Sequence, residues 1–70
     1  MFVDYYKILE IEKKSTQQEI KIAFRKQAIK WHPDKNPNID VNEKMQLINE
    51  AYLILKDEEA RIHYDIEHKK

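Results

Sequence analysis

Glycine is absent from this 70-residue chain, and its only two prolines, Pro33 and Pro37, lie close together near the middle. A sheet built of β-hairpins depends on glycine in its turns, so this composition disfavours one. Proline fixes its own φ and pushes the preceding residue out of helical conformation, so a helix must stop at His32. The sequence therefore predicts a single all-α domain with one main break.

Apolar periodicity and capping residues predict four helices. Asp4 can cap the first helix and Asp57 the last. Thr16 followed by Glu19 is typical of a capping box, in which a hydroxyl and a carboxylate satisfy free N–H groups. The predicted helices span about residues 5–10, 17–31, 41–56 and 58–67, and a loop spans residues 32–40.

The two long helices each carry an apolar stripe at about 3.6-residue spacing. The stripe of the second helix consists of Ile20, Ala23, Phe24, Gln27, Ala28 and Trp31, and that of the third consists of Met45, Ile48, Tyr52 and Leu55. Because one loop joins two helices of similar length, we expect an antiparallel hairpin. Packing the short first and fourth helices on it is the simplest way to bury both stripes.

Composition and charge exclude several classes of protein. The net charge is zero, with 13 basic and 13 acidic residues, so bulk charge predicts neither nucleic-acid nor membrane binding. No apolar run approaches the ~20 residues that span a bilayer. The chain has no cysteine, which excludes disulfides and a thiolate zinc site and fits a reducing compartment. We therefore expect a cytoplasmic protein.

The tripeptide His32-Pro33-Asp34 is the most informative candidate site. Pro33 holds it at a loop tip, where an imidazole and a carboxylate can face a partner. Catalysis by this pair is disfavoured, because the loop lacks a second carboxylate, a nucleophile and a glycine-bearing anion pocket. A helical hairpin of this size also has no room for a sizeable concave pocket. The remaining interpretations are a solvated helix-stop loop and a docking site, and the basic residues nearby favour docking.

The face of the second helix opposite the apolar stripe is basic. It carries Lys21, Arg25, Lys26 and Lys30, and Lys35 follows just beyond the loop tip. Such a face can simply be solvated, or it can bind nucleic acid, although nucleic-acid-binding domains are usually basic overall. An acidic protein surface is the better match, because a local positive stripe steers association without bulk charge.

Two further features leave alternatives open. Ile22 and Ile29 lie among the basic residues, either as isolated exposed aliphatic side chains or as the apolar centre of a docking patch. His63, Asp65 and His68 could suggest a metal site. Three loosely spaced groups near a terminus that we expect to fray are better explained as surface polar residues, so we expect no metal.

Five stretches of the chain resemble the J domain of DnaJ-type co-chaperones, in register over essentially its whole length. They are Asp4-Tyr5-Tyr6-Lys7-Ile8-Leu9, Glu19 to Ala28, Trp31-His32-Pro33-Asp34-Lys35-Asn36-Pro37, Ile48 to Leu55, and Arg61 with Tyr64-Asp65. The resemblance implies a four-helix domain that binds a DnaK-type heat shock protein 70 chaperone and stimulates its ATP hydrolysis in support of protein folding. It implies no cofactor.

The resemblance also implies a role for individual residues. His32, Pro33 and Asp34 would be the triplet that stimulates the chaperone. The basic face would dock on an acidic region of the chaperone, with Lys35 and Asn36 extending the contact. The residues that would form the core are Tyr6, Leu9, Ile20, Ala23, Ala28, Ile48, Ala51, Tyr52 and Leu55.

The rival interpretation is a J-like adaptor that tethers a partner without activating an ATPase. The intact triplet argues against it, because an adaptor has no need of that loop chemistry. In either case we expect a binding module, not an enzyme, and an isolated domain that is monomeric.

Some residues depart from the pattern of the family. Glu10 stands where glycine is frequent, so we expect the turn after the first helix to differ. Phe24 and Trp31 replace the usual tyrosines, which removes two hydroxyl groups and adds apolar area. Other apolar residues occupy positions where we expect exposure to solvent, and these are Ile22, Ile29, Leu47 and Leu53.

Overall fold

The computed structural model describes residues 3–67 and contains four α-helices in this part of the chain. They are α1 (Tyr5–Leu9), α2 (Gln17–Lys30), α3 (Asn42–Leu55) and α4 (Glu58–Glu67). A 3₁₀ turn at Pro33–Lys35 lies in the loop between α2 and α3. The prediction of an all-α fold with four helices is confirmed. None of the described helices is long and apolar enough to cross a membrane.

The helices begin where side chains replace missing backbone acceptors. Asp4 accepts two N–H groups in the first turn of α1, at 3.1 and 3.2 Å. Thr16 and Glu19 form a complete capping box at the start of α2. Asp57 accepts the N–H of Glu59 at 3.0 Å before α4. At α3 the N-cap residue Val41 has no side-chain bond, and Asp40 before it accepts the N–H of Asn42 at 3.0 Å. Such caps contribute about 1 kcal/mol each, so local chemistry sets these starts.

Three predicted helix ends lie one residue too far along the chain. Glu10, Trp31 and Lys56 follow α1, α2 and α3 as C-terminal caps and do not lie inside the helices. At the start of α3, Val41 is the residue before the first helical position. Terminal residues of this kind make only part of the intrahelical hydrogen bonds, so periodicity alone does not separate them from the helix.

The turn after α1 places Glu10 in the left-handed conformation, with φ 59° and ψ 47°. The N–H of Glu10 donates to the carbonyl of Lys7 at 3.0 Å, and that of Ile11 donates to the carbonyl of Tyr6 at 2.9 Å. This is the Schellman arrangement that usually places glycine at the left-handed position. Glutamate therefore adopts a conformation that costs a residue with a Cβ about 1 kcal/mol or more.

α2 and α3 pack as an antiparallel hairpin. At one end the side-chain amide of Gln17 donates to the carbonyls of Leu55 and Lys56, at 2.9 and 2.8 Å. At the other end Lys44 Nζ lies 5.0 Å from the centre of the Trp31 ring. The hairpin and the two short helices enclose one apolar core, whose buried members are Tyr6, Leu9, Ile20, Ala23, Ile48, Ala51, Leu55 and Tyr64.

The core differs from the sequence prediction at its edges. Ala28 and Tyr52 are half-buried, whereas Val41 is buried although the pattern places it only at a helix start. The prediction that Leu47 is exposed is wrong, since this residue is half-buried. Leu47 lies about 40° around α3 from the fully buried Ala51, so it flanks the core.

Gln27 is the one buried polar side chain among the residues that the structure describes, with 5% exposure. Its amide oxygen accepts the indole N–H of Trp31 at 3.2 Å, one helical turn away. Burial of a polar group without a partner would cost about 1–3 kcal/mol, and this bond removes that cost for the amide oxygen. The glutamine and the tryptophan therefore act as a pair.

Arg61 ties α4 to the rest of the fold. Its Nε donates to the Tyr6 hydroxyl at 3.1 Å, and its other nitrogens donate to the amide oxygen of Gln17 and to two carbonyls of the link before α2, at 2.8 and 2.6 Å. The Tyr6 hydroxyl donates to Asp65 at 2.7 Å. Burial raises the pKa of Tyr6, and the bond to Asp65 raises this pKa further.

Tyr64 extends the same set of contacts to the start of the chain. Its hydroxyl donates to the carbonyl of Val3 at 2.6 Å and accepts the N–H of Tyr5 at 3.0 Å. Its ring stacks on that of Tyr5, with centroids 4.9 Å apart, and burial raises the pKa of its hydroxyl. We call the set Arg61, Tyr6, Gln17, Tyr64 and Asp65 the Arg61 cluster.

Candidate functional site

The triplet His32-Pro33-Asp34 lies directly beyond α2, at the opposite end of the hairpin from Gln17. His32 has extended backbone and caps the 3₁₀ turn, in which Pro33 occupies a first-turn position that needs no N–H donor. The side chains of His32 and Asp34 are 55% and 91% exposed. The structure thus places the predicted site residues on a short loop, where both polar side chains can reach a partner.

The His32 ring is oriented by its own loop. Its Nδ1 accepts the backbone N–H of Asp34 at 3.2 Å and lies 3.8 Å from the carboxylate oxygen of the same residue. An ion pair with the carboxylate would need a proton on Nδ1, whereas the shorter backbone bond needs a lone pair there. In the neutral ring the backbone bond leaves the proton on Nε2, which can donate it to a partner.

The Asp34 carboxylate accepts no hydrogen bond within residues 3–67. An exposed carboxylate with open lone pairs can accept bonds from a cationic or N–H donor of another molecule. The loop therefore presents one donor, on His32, and one anionic acceptor, on Asp34. An exposed donor and an exposed acceptor suit recognition of a partner by contact.

The structure brings most of the predicted basic face together. Lys21, Arg25 and Lys26 are exposed on α2, and no acidic side chain pairs with them within residues 3–67. Lys30 differs, because its ammonium lies 3.7 Å from a carboxylate oxygen of Glu10. That pair is itself exposed and contributes little, so it does not remove Lys30 from the face.

The two isoleucines of this face have different surroundings. Ile29 is 56% exposed and lines a shallow groove of about 380 Å³ together with His32 and Asp34. Ile22 is 47% exposed and lies in a separate depression beside Ile11, towards α1. The structure therefore joins Ile29, but not Ile22, to the triplet.

Lys44 also belongs to the surroundings of the loop, and sequence reasoning missed it. Its ammonium and that of Lys30 lie 5.0 and 5.7 Å from the centre of the Trp31 ring, within the range of cation–π attraction. An antiparallel hairpin brings the first turn of α3 beside the end of α2. A lysine in that first turn could therefore have been predicted from the sequence to lie near the triplet.

The residues considered for a metal site do not gather in the described part of the chain. His68 lies outside the described residues. Asp65 accepts the Tyr6 hydroxyl in the Arg61 cluster, and His63 approaches Glu67 at 3.9 Å. No group of three or more candidate ligands is found within residues 3–67.

Comparisons with known proteins place the chain in one family. The sequence pattern of the DnaJ domain matches residues 4–65. The chaperone protein DnaJ of Mycoplasmoides gallisepticum is 56% identical over 89% of this chain, and that of Helicobacter pylori strain 26695 is 51% identical over 100% of it. The chain spans only 16% and 19% of the length of these two relatives.

A solved structure shows the same architecture. The J-Trx1 fragment of ERdj5 is 41% identical and superimposes with a TM-score of 0.85. The match covers 99% of this chain and 34% of that fragment. Both sequence and fold therefore agree over nearly the whole of the present chain.

Proposed function

Since this chain belongs to the DnaJ domain family, we propose that it is a co-chaperone domain that binds a DnaK-type heat-shock chaperone and stimulates its ATP hydrolysis. The observation that carries the proposal is the exposed His32-Pro33-Asp34 triplet at the end of a basic helix. We further propose that the domain acts in the cytoplasm and is not itself an enzyme.

Docking is electrostatic in this proposal. The cations of Lys21, Arg25 and Lys26 have no internal acidic partner in the described chain, so no ion pair has to break before they meet an acidic surface. Such a stripe raises the association rate at low ionic strength, and salt screens it over about 10 Å at 0.1 M. The affinity for the chaperone should therefore fall as salt is added.

Stimulation requires a second interaction that is specific to the activated chaperone. A protein that accelerates hydrolysis in a partner must bind the transition state of that partner better than its ground state. The His32 Nε2–H and the open Asp34 carboxylate supply one donor and one acceptor for this purpose. The triplet would act through these contacts, without transferring a proton.

A single-turnover ATPase assay with a DnaK-type chaperone tests the proposal. The wild-type domain should accelerate hydrolysis, whereas His32→Gln and Asp34→Asn should abolish the acceleration and leave the helical circular dichroism unchanged. An exposed loop carries little packing, so the fold does not depend on these side chains. Stimulation that persists in both folded variants would refute the role of the triplet.

Two controls separate this function from its rivals. His63→Gln, an exposed histidine on α4, should leave stimulation intact. The domain alone should release no phosphate from ATP, as expected of a binding module. A wild-type domain that binds the chaperone without accelerating hydrolysis would instead support the adaptor interpretation.

A further inference from the structure

The end of α2 leaves a backbone carbonyl without its usual partner. In a continuing helix the carbonyl of Lys30 would accept the N–H of Asp34, four residues later. Here the N–H of Asp34 is donated to Nδ1 of His32 at 3.2 Å. Pro33 has no N–H to offer for the shorter turn. The helix therefore needs a donor from elsewhere at this point.

The side chain of Asn36 supplies that donor. Its amide nitrogen lies 3.0 Å from the carbonyl oxygen of Lys30 and 2.9 Å from that of His32. A primary amide has two N–H groups, so these two bonds use both of them. The backbone N–H of Asn36 also donates to the carbonyl of Pro33, at 3.1 Å. Asn36 is half-buried.

These bonds bracket the triplet. The carbonyl of His32 receives both the Asn36 amide and the backbone N–H of Lys35, the latter at 3.0 Å. Hydrogen bonds from Lys35 and Asn36 thus fix the carbonyls of His32 and Pro33. This fixed backbone keeps Nδ1 of His32 within hydrogen-bond distance of the N–H of Asp34. A loop that is ordered before binding loses less conformational entropy when a partner arrives.

We propose that Asn36 is a positioning residue, which holds His32 and Asp34 in their active arrangement and does not itself bind the chaperone. This inference rests on the proposed function and refines it, because the family resemblance implies that Asn36 extends the contact together with Lys35. The structure distinguishes the two residues. Lys35 is exposed, whereas Asn36 is half-buried and both of its amide N–H groups donate to backbone carbonyls.

Amide hydrogen exchange in the free domain tests the structural part. Asn36→Ala removes both bonds, and Asn36→Asp keeps the size but sets a carboxylate against two carbonyl oxygens. In both variants the amides of Asp34 and Lys35 should exchange roughly tenfold faster, while the amides of α2 and α3 keep their rates. Asn38→Ala, an exposed asparagine of the same loop, should change none of these rates.

Titration of a DnaK-type chaperone with each variant tests the functional part. A positioning residue should lower the maximal stimulation at saturating domain, because the triplet then meets the activated chaperone in the wrong arrangement. Lys35→Ala should instead raise the domain concentration needed for half-maximal stimulation and leave loop exchange unchanged. The Asn36 variants would then differ from Lys35→Ala, because the former change the maximal stimulation and the latter changes the concentration needed for half-maximal stimulation.

Three results would overturn the proposal. They are unchanged loop exchange with unchanged stimulation, unchanged loop exchange with a loss of affinity, which would make Asn36 a contact residue, and faster exchange with full stimulation. Failure of the wild-type domain to stimulate would instead refute the proposed function. The exchange measurement needs no chaperone, so the two failures remain distinguishable.

Discussion

The two ends of the helical hairpin use polar side chains in opposite ways. In the Arg61 cluster, donors and acceptors from α1, α2 and α4 are paired with one another, and Tyr6 and Tyr64 are buried. At the triplet, the Asp34 side chain is 91% exposed and its carboxylate accepts no hydrogen bond within residues 3–67. Polar groups that are satisfied inside the protein stabilise the fold, whereas groups left open are available to a partner.

Two arginines illustrate the same difference. The Arg61 guanidinium donates to side chains and carbonyls of three other segments. Arg25 is exposed on α2 and makes no ion pair within the described residues. One cation therefore acts as a structural bridge, and the other contributes charge to a surface. The predictions below test this division.

The largest loss of stability should come from truncating a residue of the apolar core, which lies between the two ends of the hairpin. Leu55 is fully buried, so Leu55→Ala should lower the free energy of unfolding by about 2–5 kcal/mol. Leu53 is 59% exposed on the same helix, and Leu53→Ala should stay within about 0.5 kcal/mol. Urea unfolding measures both. Equal losses would mean that the helix phase described here is wrong.

The second-largest loss in the free energy of unfolding should come from removing the Arg61 side chain. Arg61→Ala leaves several buried or half-buried acceptors unpaired, so it should cost about 2–4 kcal/mol in the same urea experiment. Arg25→Ala is the matched control and should change stability by less than about 0.5 kcal/mol. If the two arginine variants unfold at the same urea concentration, the contrast between the two ends fails.

The pH dependence of stability at high pH should report the tyrosines of the Arg61 cluster together with Tyr5, whose pKa burial also raises. Tyr6 and Tyr64 have pKa values raised above their ordinary value of 10.0, with burial as the main cause. The folded state therefore keeps these protons at a pH where the unfolded chain loses them. Their contribution is complete below about pH 10 and declines as the pH rises above it.

Urea melts from about pH 8 to pH 11 measure this decline. Tyr6→Phe removes one titrating hydroxyl and should make the decline shallower, although its absolute stability falls because the bonds to Arg61 and Asp65 are lost. A slope at high pH that is identical in the variant would show that Tyr6 does not contribute to it.

The turn after α1 should yield a smaller, stabilising change. Glu10 has a positive φ, so Glu10→Gly should raise the free energy of unfolding by about 0.5–1 kcal/mol and release Lys30 from its ion pair. Glu12→Gly is the control, because φ at Glu12 is negative and glycine brings no relief there. Thermal unfolding of both variants checks the prediction, and equal shifts would contradict it.

The smallest change in stability should come from the exposed isoleucines. Ile22→Ala and Ile29→Ala should each stay within about 0.5 kcal/mol, since neither leaves a core cavity. Ile29 shares a groove with His32 and Asp34, so its truncation should weaken chaperone binding more than that of Ile22. Equal affinities of the two variants would show that the groove takes no part in docking.

Much of the scaffold is readable from local spacing. The capping box at Thr16 and Glu19 and the apolar periodicity of α2 and α3 rest on residues within one or two turns of each other. The burial of Val41 and the half-burial of Leu47 were not predicted. The burial of these two residues depends on which neighbouring segments pack beside the apolar stripe of α3, and local sequence periodicity does not specify that packing.

The candidate site divides in the same way. The position of the triplet at a helix stop follows from Pro33 alone, and the basic face follows from helical periodicity. The bond that Nδ1 of His32 accepts and the two bonds that the Asn36 amide donates became evident only from distances in the folded loop. These bonds depend on the backbone conformation of the loop, which helical periodicity does not specify.

By itself the sequence determined the helices, the starts of α1, α2 and α4 and the exposed loop, because turns, caps and proline act over a few residues. Only the tertiary structure decided which distant groups meet. The hydroxyl of Tyr6 reaches Asp65 across 59 positions, and Arg61 reaches Gln17 across 44. Contacts of this range depend on the rotation and crossing of packed helices, which the whole core sets at once.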